Sequence, residues 1–387
     1  MFKNVSLIAG KWLGSDQKYQ NEPVSGLADS FAIGTVEMVN LACEAAEEAF
    51  WSYGYSTADE RASFLEEVAN QIDARGTEIT KTGMKETGLP QARLEGERGR
   101  TIAQLRMFAQ HIKTGKHLDY LNDKALPERA PIPRPDLHLI QRPIGPIAIF
   151  GASNFPLAFS SAGGDTAAAL AAGCPVVVKA HPAHPGIADL IAQAFNAAIK
   201  ATGVHPGVFS QVNDGGHIVG ETLVKHPLIR AVGFTGSLQA GRALFDIAAA
   251  RPEPIPFFGE LGSTNPMFIM PKAIAMRGDE IATGWAGSIT MGAGQFCTNP
   301  GVAVVLDGPL ATQFAQTTAV ALNDTAPQTM LTHGIAEAFQ RGCHHIASKS
   351  GVKAVLTSEN RNRTAVPQLF TTTAANWLAQ DALQKEV

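Results

Sequence analysis

The chain has 387 residues, 45% of them hydrophobic and 17% charged, with a formal net charge of -4. That composition suits a globular protein large enough for two cores, and its mild acidity gives no reason to expect nucleic acid or an anionic membrane as partner. No window reaches the run of about 18 apolar residues that a membrane span requires. Met1-Phe2-Lys3-Asn4-Val5-Ser6 lacks the apolar core and cleavage site of a signal peptide, so the cytoplasm is the expected compartment.

In chain order, residues 38–112 read as helical: Leu41, Ala45 and Ala49, then Phe64, Leu65, Val68 and Ile72, recur at helix spacing. Arg93, Arg98, Arg100 and Arg106 are interleaved with Glu95 and Glu97, which reads as a solvated or salt-bridged helix face rather than an anion site. Residues 126–136 hold four prolines, Pro127, Pro131, Pro133 and Pro135, and form a connector or an extended arm. Then the period changes. The apolar run Ile147 to Phe150 reads as a strand, followed by a small-residue helix over 161–172 that Gly173-Cys174-Pro175 stops. Strand 176–178, helix 187–201, strand 208–212, helix 217–225, strand 229–234 and helix 238–249 continue the alternation. The fold class is therefore α/β, a Rossmann-like parallel sheet with helices on both faces, and ligands are expected beyond the carboxyl ends of its strands.

The loops at those ends carry the chemistry. Gly151-Ala152-Ser153-Asn154-Phe155-Pro156 follows the first strand, where an Asn beside a Pro is ordinarily a turn residue. Lys179 closes Val176-Val177-Val178, sending its ammonium to solvent or into the crevice, where sugar hydroxyls or a phosphate would meet it. Phe234-Thr235-Gly236-Ser237 sets a glycine just before a helix, which lets backbone N–H groups approach an anion. It is not the dinucleotide fingerprint.

The cysteines are Cys43, Cys174, Cys297 and Cys343, with no C-x-x-C pair, so neither a disulfide framework nor a metal site is expected. Cys174, in Ala-Gly-Cys-Pro-Val-Val, fits a buried small hydrophobe. Cys297 differs: Gly292-Ala293-Gly294-Gln295-Phe296 precedes it, and Thr298 and Asn299 follow. Upstream, Glu260 stands in Phe258-Gly259-Glu260-Leu261-Gly262, either a strand-end carboxylate with a raised pKa or a surface acid.

Together these segments resemble the aldehyde dehydrogenase superfamily along essentially the whole chain. The matching motifs are N-F-P at 154–156, V-V-K at 177–179, F-T-G-S at 234–237, E-L-G at 260–262 and G-Q-F-C-T at 294–298, in family order. Gly151-Ala-Ser-Asn-Phe-Pro-Leu-Ala-Phe and Lys179-Ala-His-Pro-Ala-His-Pro-Gly resemble the branch of alpha-ketoglutaric semialdehyde (2,5-dioxovalerate) dehydrogenases, with fatty-aldehyde enzymes close by. The resemblance implies a cofactor-binding domain of residues 1–125 and 144–256. It further implies an oligomerisation arm at 126–143 and a second α/β domain, catalytic, at 257–387.

It also implies roles. Cys297 is the nucleophile, Asn154 and the Cys297 backbone N–H stabilise the oxyanion, and Glu260 activates water against the thioester. Lys179, Phe234, Gly236 and Ser237 belong to the NADP or NAD site, and Glu386 matches the residue that meets the nicotinamide ribose. Many family members carry a Glu three residues after the counterpart of Lys179; here that position is Pro182, so a 2′-phosphate meets no direct repulsion and NADP is slightly favoured. Arg98, Arg100 or Arg106 would supply a cation for a dicarboxylic semialdehyde, with a structural ion pair as the other reading for each. The chain ends at Glu386-Val387, before the rest of the family's E-x-F-G-P motif and the strand that joins subunits into a homo-oligomer. A non-catalytic truncated fragment and an esterase therefore stand beside an aldehyde dehydrogenase as expectations.

Overall fold

The computed structural model describes residues 1–359 and 362–387. It divides into two compact units: residues 1–21, 27–84 and 90–261 form the first, and 22–26, 85–89 and 262–387 the second.

Among the described residues, seven strands make the main sheet of the first unit: β1 (Ser6–Ile8), β2 (Lys11–Leu13), β3 (Ile147–Phe150), β4 (Val176–Lys179), β5 (Phe209–Val212), β6 (Ala231–Gly236) and β7 (Phe257–Leu261). Their order is β7-β6-β3-β4-β5-β1-β2. The five strands from β7 to β5 are parallel, and β1 and β2 add an antiparallel edge. β4 and β5 are added in chain order on one side of β3, and β6 and β7 on its other side. The strand order therefore reverses between β3 and β6, the place where a parallel sheet opens a ligand crevice.

Helices α1 (Val36–Tyr53), α2 (Ala58–Ala74), α3 (Gly76–Thr87) and α4 (Gln91–Lys113) account for the long helical stretch. Breaks and caps divide it: Thr57 and Glu60 form a capping box at the start of α2, and Thr35 caps α1. After β3 come α5 (Gly164–Ala172), α6 (Pro185–Thr202), α7 (His217–Lys225) and α8 (Leu238–Ala249) in alternation with the strands. The expected helix over 161–172 starts at Gly164 instead. Gly163 lies so close to the preceding turn that a Cβ there would sit 2.6 Å from the Ala158 carbonyl oxygen, which leaves residues 161–163 as turn.

Strands β3, β4 and β5 are buried on both faces, which is why they read as unbroken apolar runs. One core holds Phe64, Leu105, Ile149, Val178 and Phe195, with Phe195 stacked on Phe209 at 3.9 Å; the other holds Val39, Phe150, Val177, Val232 and Phe234. The proline-rich segment is bracketed by an exposed antiparallel pair, Leu121–Asp123 with Leu137–Leu139.

The second unit contains the parallel pair β8 (Pro266–Ile269) and β9 (Val302–Val305) with α9 (Pro271–Thr290), α10 (Pro309–Asn323) and α11 (His333–Ala347). Its core is smaller, built on Ile269, Trp285, Phe314 and Leu322, and Phe268 on β8 is 68% exposed.

Candidate active site

In the first unit the expected residues gather at the carboxyl ends of the parallel strands. The β6–β7 register places Thr235 opposite Glu260, and β3–β4 places Phe150 opposite Lys179. Asn154 lies four residues beyond β3, half-buried in an irregular turn. Lys179 pairs with a residue that sequence did not single out: its Nζ lies 2.5 Å from Asp214 Oδ1, both side chains about one-fifth exposed. Asp214 follows β5, the neighbouring strand, so the pair sits on the rim of the sheet.

Phe234 is buried against Phe150 and Phe257, so the end of β6 presents Thr235, Gly236 and Ser237 instead. Ser237 caps α8, its Oγ accepting from the Ala240 N–H at 3.3 Å. Glu260 is exposed on the edge strand β7. Its neighbour is Asp165 in the first turn of α5, whose carboxyl is raised by loss of hydration and then by the Glu260 charge.

The turn carrying Asn154 is supported by side chains distant in sequence. Glu97 on α4 accepts the N–H groups of Leu157 and Ala158 at 2.8 and 2.9 Å and pairs with Arg93 at 2.6 Å. Arg93 lies over the Phe155 ring and Arg100 over Phe159. His184, just before α6, reaches the Ala152 carbonyl. Of the three arginines considered for a carboxylate substrate, two have structural work. Arg98 donates to the Gly76 carbonyl and Thr80, and Arg106 pairs with Glu66. Arg100 is exposed, and no carboxylate pairs with it among the described residues.

In the second unit Cys297 is half-exposed, whereas Cys43, Cys174 and Cys343 are buried. Burial raises all three thiols, Cys43 and Cys343 to about 12 and about 11, which keeps them protonated and inert. The Cys297 loop turns through positive φ at Gly292, Ala293 and Gly294 and is held by neutral side chains. The Cys297 carbonyl accepts from Ser263 Oγ and from Asn265 Nδ2, the latter at 2.8 Å. Asn299 donates to Ile289 and Gly294, and Gln328 bonds Ala293 and Thr290. The Ser263 N–H also donates to Glu386 at 3.2 Å, so Ser263 links Glu386 to the Cys297 loop. Sequence reading missed Ser263 and Asn265, although they follow the E-L-G motif directly.

The model of the aldehyde dehydrogenase family matches residues 20–350. The chain is 47% identical over 370 residues to alpha-ketoglutaric semialdehyde dehydrogenase 2 of Azospirillum brasilense, covering 95% of this chain and 70% of that protein. It is 45% identical over 329 residues to alpha-ketoglutaric semialdehyde dehydrogenase of Acinetobacter baylyi, covering 85% of this chain and 62% of the relative. In structure it is similar to an NAD-dependent benzaldehyde dehydrogenase from Corynebacterium glutamicum, with a TM-score of 0.81 and 21% identity over 98% of this chain and 82% of that one. An NADP-dependent glyceraldehyde-3-phosphate dehydrogenase from Bacillus halodurans gives a TM-score of 0.81 with 22% identity over 97% and 78%. At such identities these two likenesses speak for the fold. The family match and the relatives of high identity carry the conclusion: the chain belongs to the aldehyde dehydrogenase family, oxidoreductases that act on aldehydes.

Proposed function

We propose that the protein oxidises alpha-ketoglutaric semialdehyde (2,5-dioxopentanoate) to the dicarboxylic acid through a thioester on Cys297, with NAD or NADP as cofactor. The observation that carries this reading is the contrast among the thiols: Cys297 alone of the four reaches the surface, on a loop whose carbonyl two side chains fix.

As thiolate, Cys297 adds to the aldehyde carbon, and the carbonyl oxygen takes the negative charge. The Asn154 amide and the Cys297 backbone N–H donate to that oxyanion. Collapse of the adduct re-forms the C=O bond as the C–H electron pair leaves. When bound, the nicotinamide supplies the acceptor for that hydride. Glu260 then takes a proton from water as its oxygen attacks the thioester carbon, releasing the acid and regenerating the thiolate.

The donor set on the sheet rim fits a nicotinamide dinucleotide. Lys179 offers an ammonium, Asp214 a carboxylate, and Gly236 and Ser237 open α8. Gly216, two residues after Asp214, has φ +66 with open space where a Cβ would stand, so backbone is free to approach a ligand there. Pro182 leaves no carboxylate at its own position, yet Asp214 brings one to the same lysine. A carboxylate there accepts from ribose hydroxyls and repels a 2′-phosphate, so NAD is favoured over NADP on this reading. Glu386, tied to Ser263, would serve the nicotinamide ribose. The first unit, whose sheet continues through β7 to residue 261 rather than ending at 256, would serve cofactor binding, and residues 262–387 would carry the nucleophile. The exposed leucines of the arm, Leu126, Leu137 and Leu139, together with Leu121 on the strand that pairs with it, would join subunits.

For the substrate, Arg100, which has no carboxylate partner among the described residues, would meet the distal carboxylate, and the relatives named for this substrate support the choice. The test is reduced-cofactor absorbance with 2,5-dioxopentanoate and with a neutral aldehyde of equal length. The reading predicts turnover with the first, and a rise in its KM of about tenfold or more in Arg100→Met with the neutral aldehyde little affected. Equal kcat/KM for both aldehydes in the parent protein would reject the substrate. No turnover of any aldehyde with either cofactor would reject the activity and favour a non-catalytic chain, and ester cleavage alone would favour a hydrolase.

A further inference from the structure

From Gly151 to Gly163 the chain follows no helix or strand, yet Ala152, Phe155, Leu157 and Ala158 are all buried. Buried backbone groups need partners. Some are found within the segment: Ala152 N–H donates to Phe159, Gly163 N–H to Ser160, and Gly164 N–H to Ala158. Three others go to two side chains far away in sequence. The Leu157 and Ala158 N–H groups both donate to Glu97 Oε1, while Glu97 Oε2 takes the Arg93 guanidinium that lies 4.4 Å over the Phe155 ring. The Ala152 carbonyl lies 3.2 Å from His184 Nε2. A carbonyl only accepts, so the His184 proton is on Nε2. Its Nδ1 is a buried lone pair without a partner among the described residues.

A buried carboxylate and a buried imidazole are costly supports for a turn, since apolar residues of similar volume commonly stabilise as well. What they add is direction. His184 grips the chain two residues before Asn154, and Glu97 grips it three and four residues after. We propose that Glu97 and His184 are positioning residues that clamp this turn, one from α4 and one from the residue preceding α6, and so fix the Asn154 amide as oxyanion donor. The inference rests on the reading of Asn154 given above. Small misplacements of such a donor are expensive: about 1 Å can cost on the order of a hundredfold in rate.

The test combines kinetics with amide hydrogen exchange on the full chain. Glu97→Leu and His184→Phe remove the grips; Glu97→Gln and His184→Gln keep an acceptor and a donor at similar reach. The first two should lose about 10- to 100-fold in kcat with KM for aldehyde changed less than about threefold. The glutamine variants should return to within about fivefold of the parent. In an Asn154→Ala background, Glu97→Leu should cost nothing further in kcat, because the donor it positions is gone. The Leu157 and Ala158 amides should exchange at least about tenfold faster in Glu97→Leu while Ile147–Phe150 keep their protection. Parent-like kcat in both apolar variants, full additivity with Asn154→Ala, or unchanged exchange at Leu157 and Ala158 would each overturn the clamp and leave the dehydrogenase reading intact. A parent protein without turnover would instead defeat that reading, and the positioning role with it.

Discussion

The two loops that carry the proposed chemistry are built on opposite principles. The Asn154 turn lies against a large core and is held by charged or titratable groups, Glu97 and Arg93 on α4 and His184 just before α6, each thirty or more positions away in sequence. The Cys297 loop lies in a unit with a smaller core and is held by neutral hydroxyls and amides, Ser263, Asn265, Asn299 and Gln328, from the same unit. The difference follows from what each loop presents. A neutral amide donor tolerates charges behind it, provided they are satisfied and buried. A thiol that must ionise gains from neutral dipoles that orient its peptide without adding a fixed negative charge beside it.

The sharpest way to break that comparison is at the sulfur. Cys297→Ala should lower kcat by at least about ten-thousandfold, because none of the buried thiols can replace the nucleophile; steady-state aldehyde oxidation checks it, and retained turnover refutes the assignment. Asn154→Ala should cost about 100- to 1000-fold in kcat, the usual loss for one oxyanion donor. Asn265→Ala leaves Ser263 on the same carbonyl and should cost about tenfold in kcat. If Asn265→Ala proved as damaging as Asn154→Ala, the Cys297 loop would depend on a single support and the contrast in construction would dissolve.

Acid should separate the two loops further. Burial holds His184 down to about 4, below the ordinary value near 6.5, and also pushes its stacked neighbour His181 well down. Between pH 6.5 and 4 the unfolded chain therefore binds more protons than the folded one at these sites, so stability falls as pH falls through that window. Comparison with His184→Gln isolates one group: the parent should lose roughly 2 kcal/mol more than the variant between pH 7 and pH 5, read from denaturant unfolding. Glu97, raised mainly by burial, contributes with the opposite sign, and it cancels in this comparison because both proteins carry it. The smallest expected effect concerns the cofactor. Asp214→Asn should shift the NADP-to-NAD ratio of Kd values about fivefold toward NADP, measured by direct binding.

Much of the architecture was legible in the residues. Helices 217–225 and 238–249 stand where periodicity set them, and β3 to β5 differ from their expected bounds by a residue at most. β6 begins at Ala231 rather than at 229 and continues through Gly236, paired along its length with β7. Local pattern fixes such elements because the apolar period and the stops, Gly173 and Gly203 in the left-handed region, lie within the element itself. The supports of the site were not legible in the same way. Glu97 bonds amides about sixty positions away, and Lys179 finds Asp214 thirty-five positions on. Such pairings depend on which strand ends and helices the topology makes neighbours. Interleaving of charges pointed to a salt-bridged face, and Arg93 with Glu97 and Arg106 with Glu66 do pair, whereas Arg98 makes hydrogen bonds to Gly76 and Thr80 instead of an ion pair. It gave no sign that Glu97 would be buried beneath the Asn154 turn.

The central claim is that a thioester forms on Cys297 and that Glu260 is needed to hydrolyse it. Glu260→Gln should still acylate, so mixing it with 2,5-dioxopentanoate and NAD and quenching the mixture for peptide mass spectrometry tests the claim directly. The account predicts one burst of reduced cofactor per chain and an acyl group retained on the peptide that holds Cys297. Sustained turnover with that peptide unmodified, or acylation at another side chain, would contradict it.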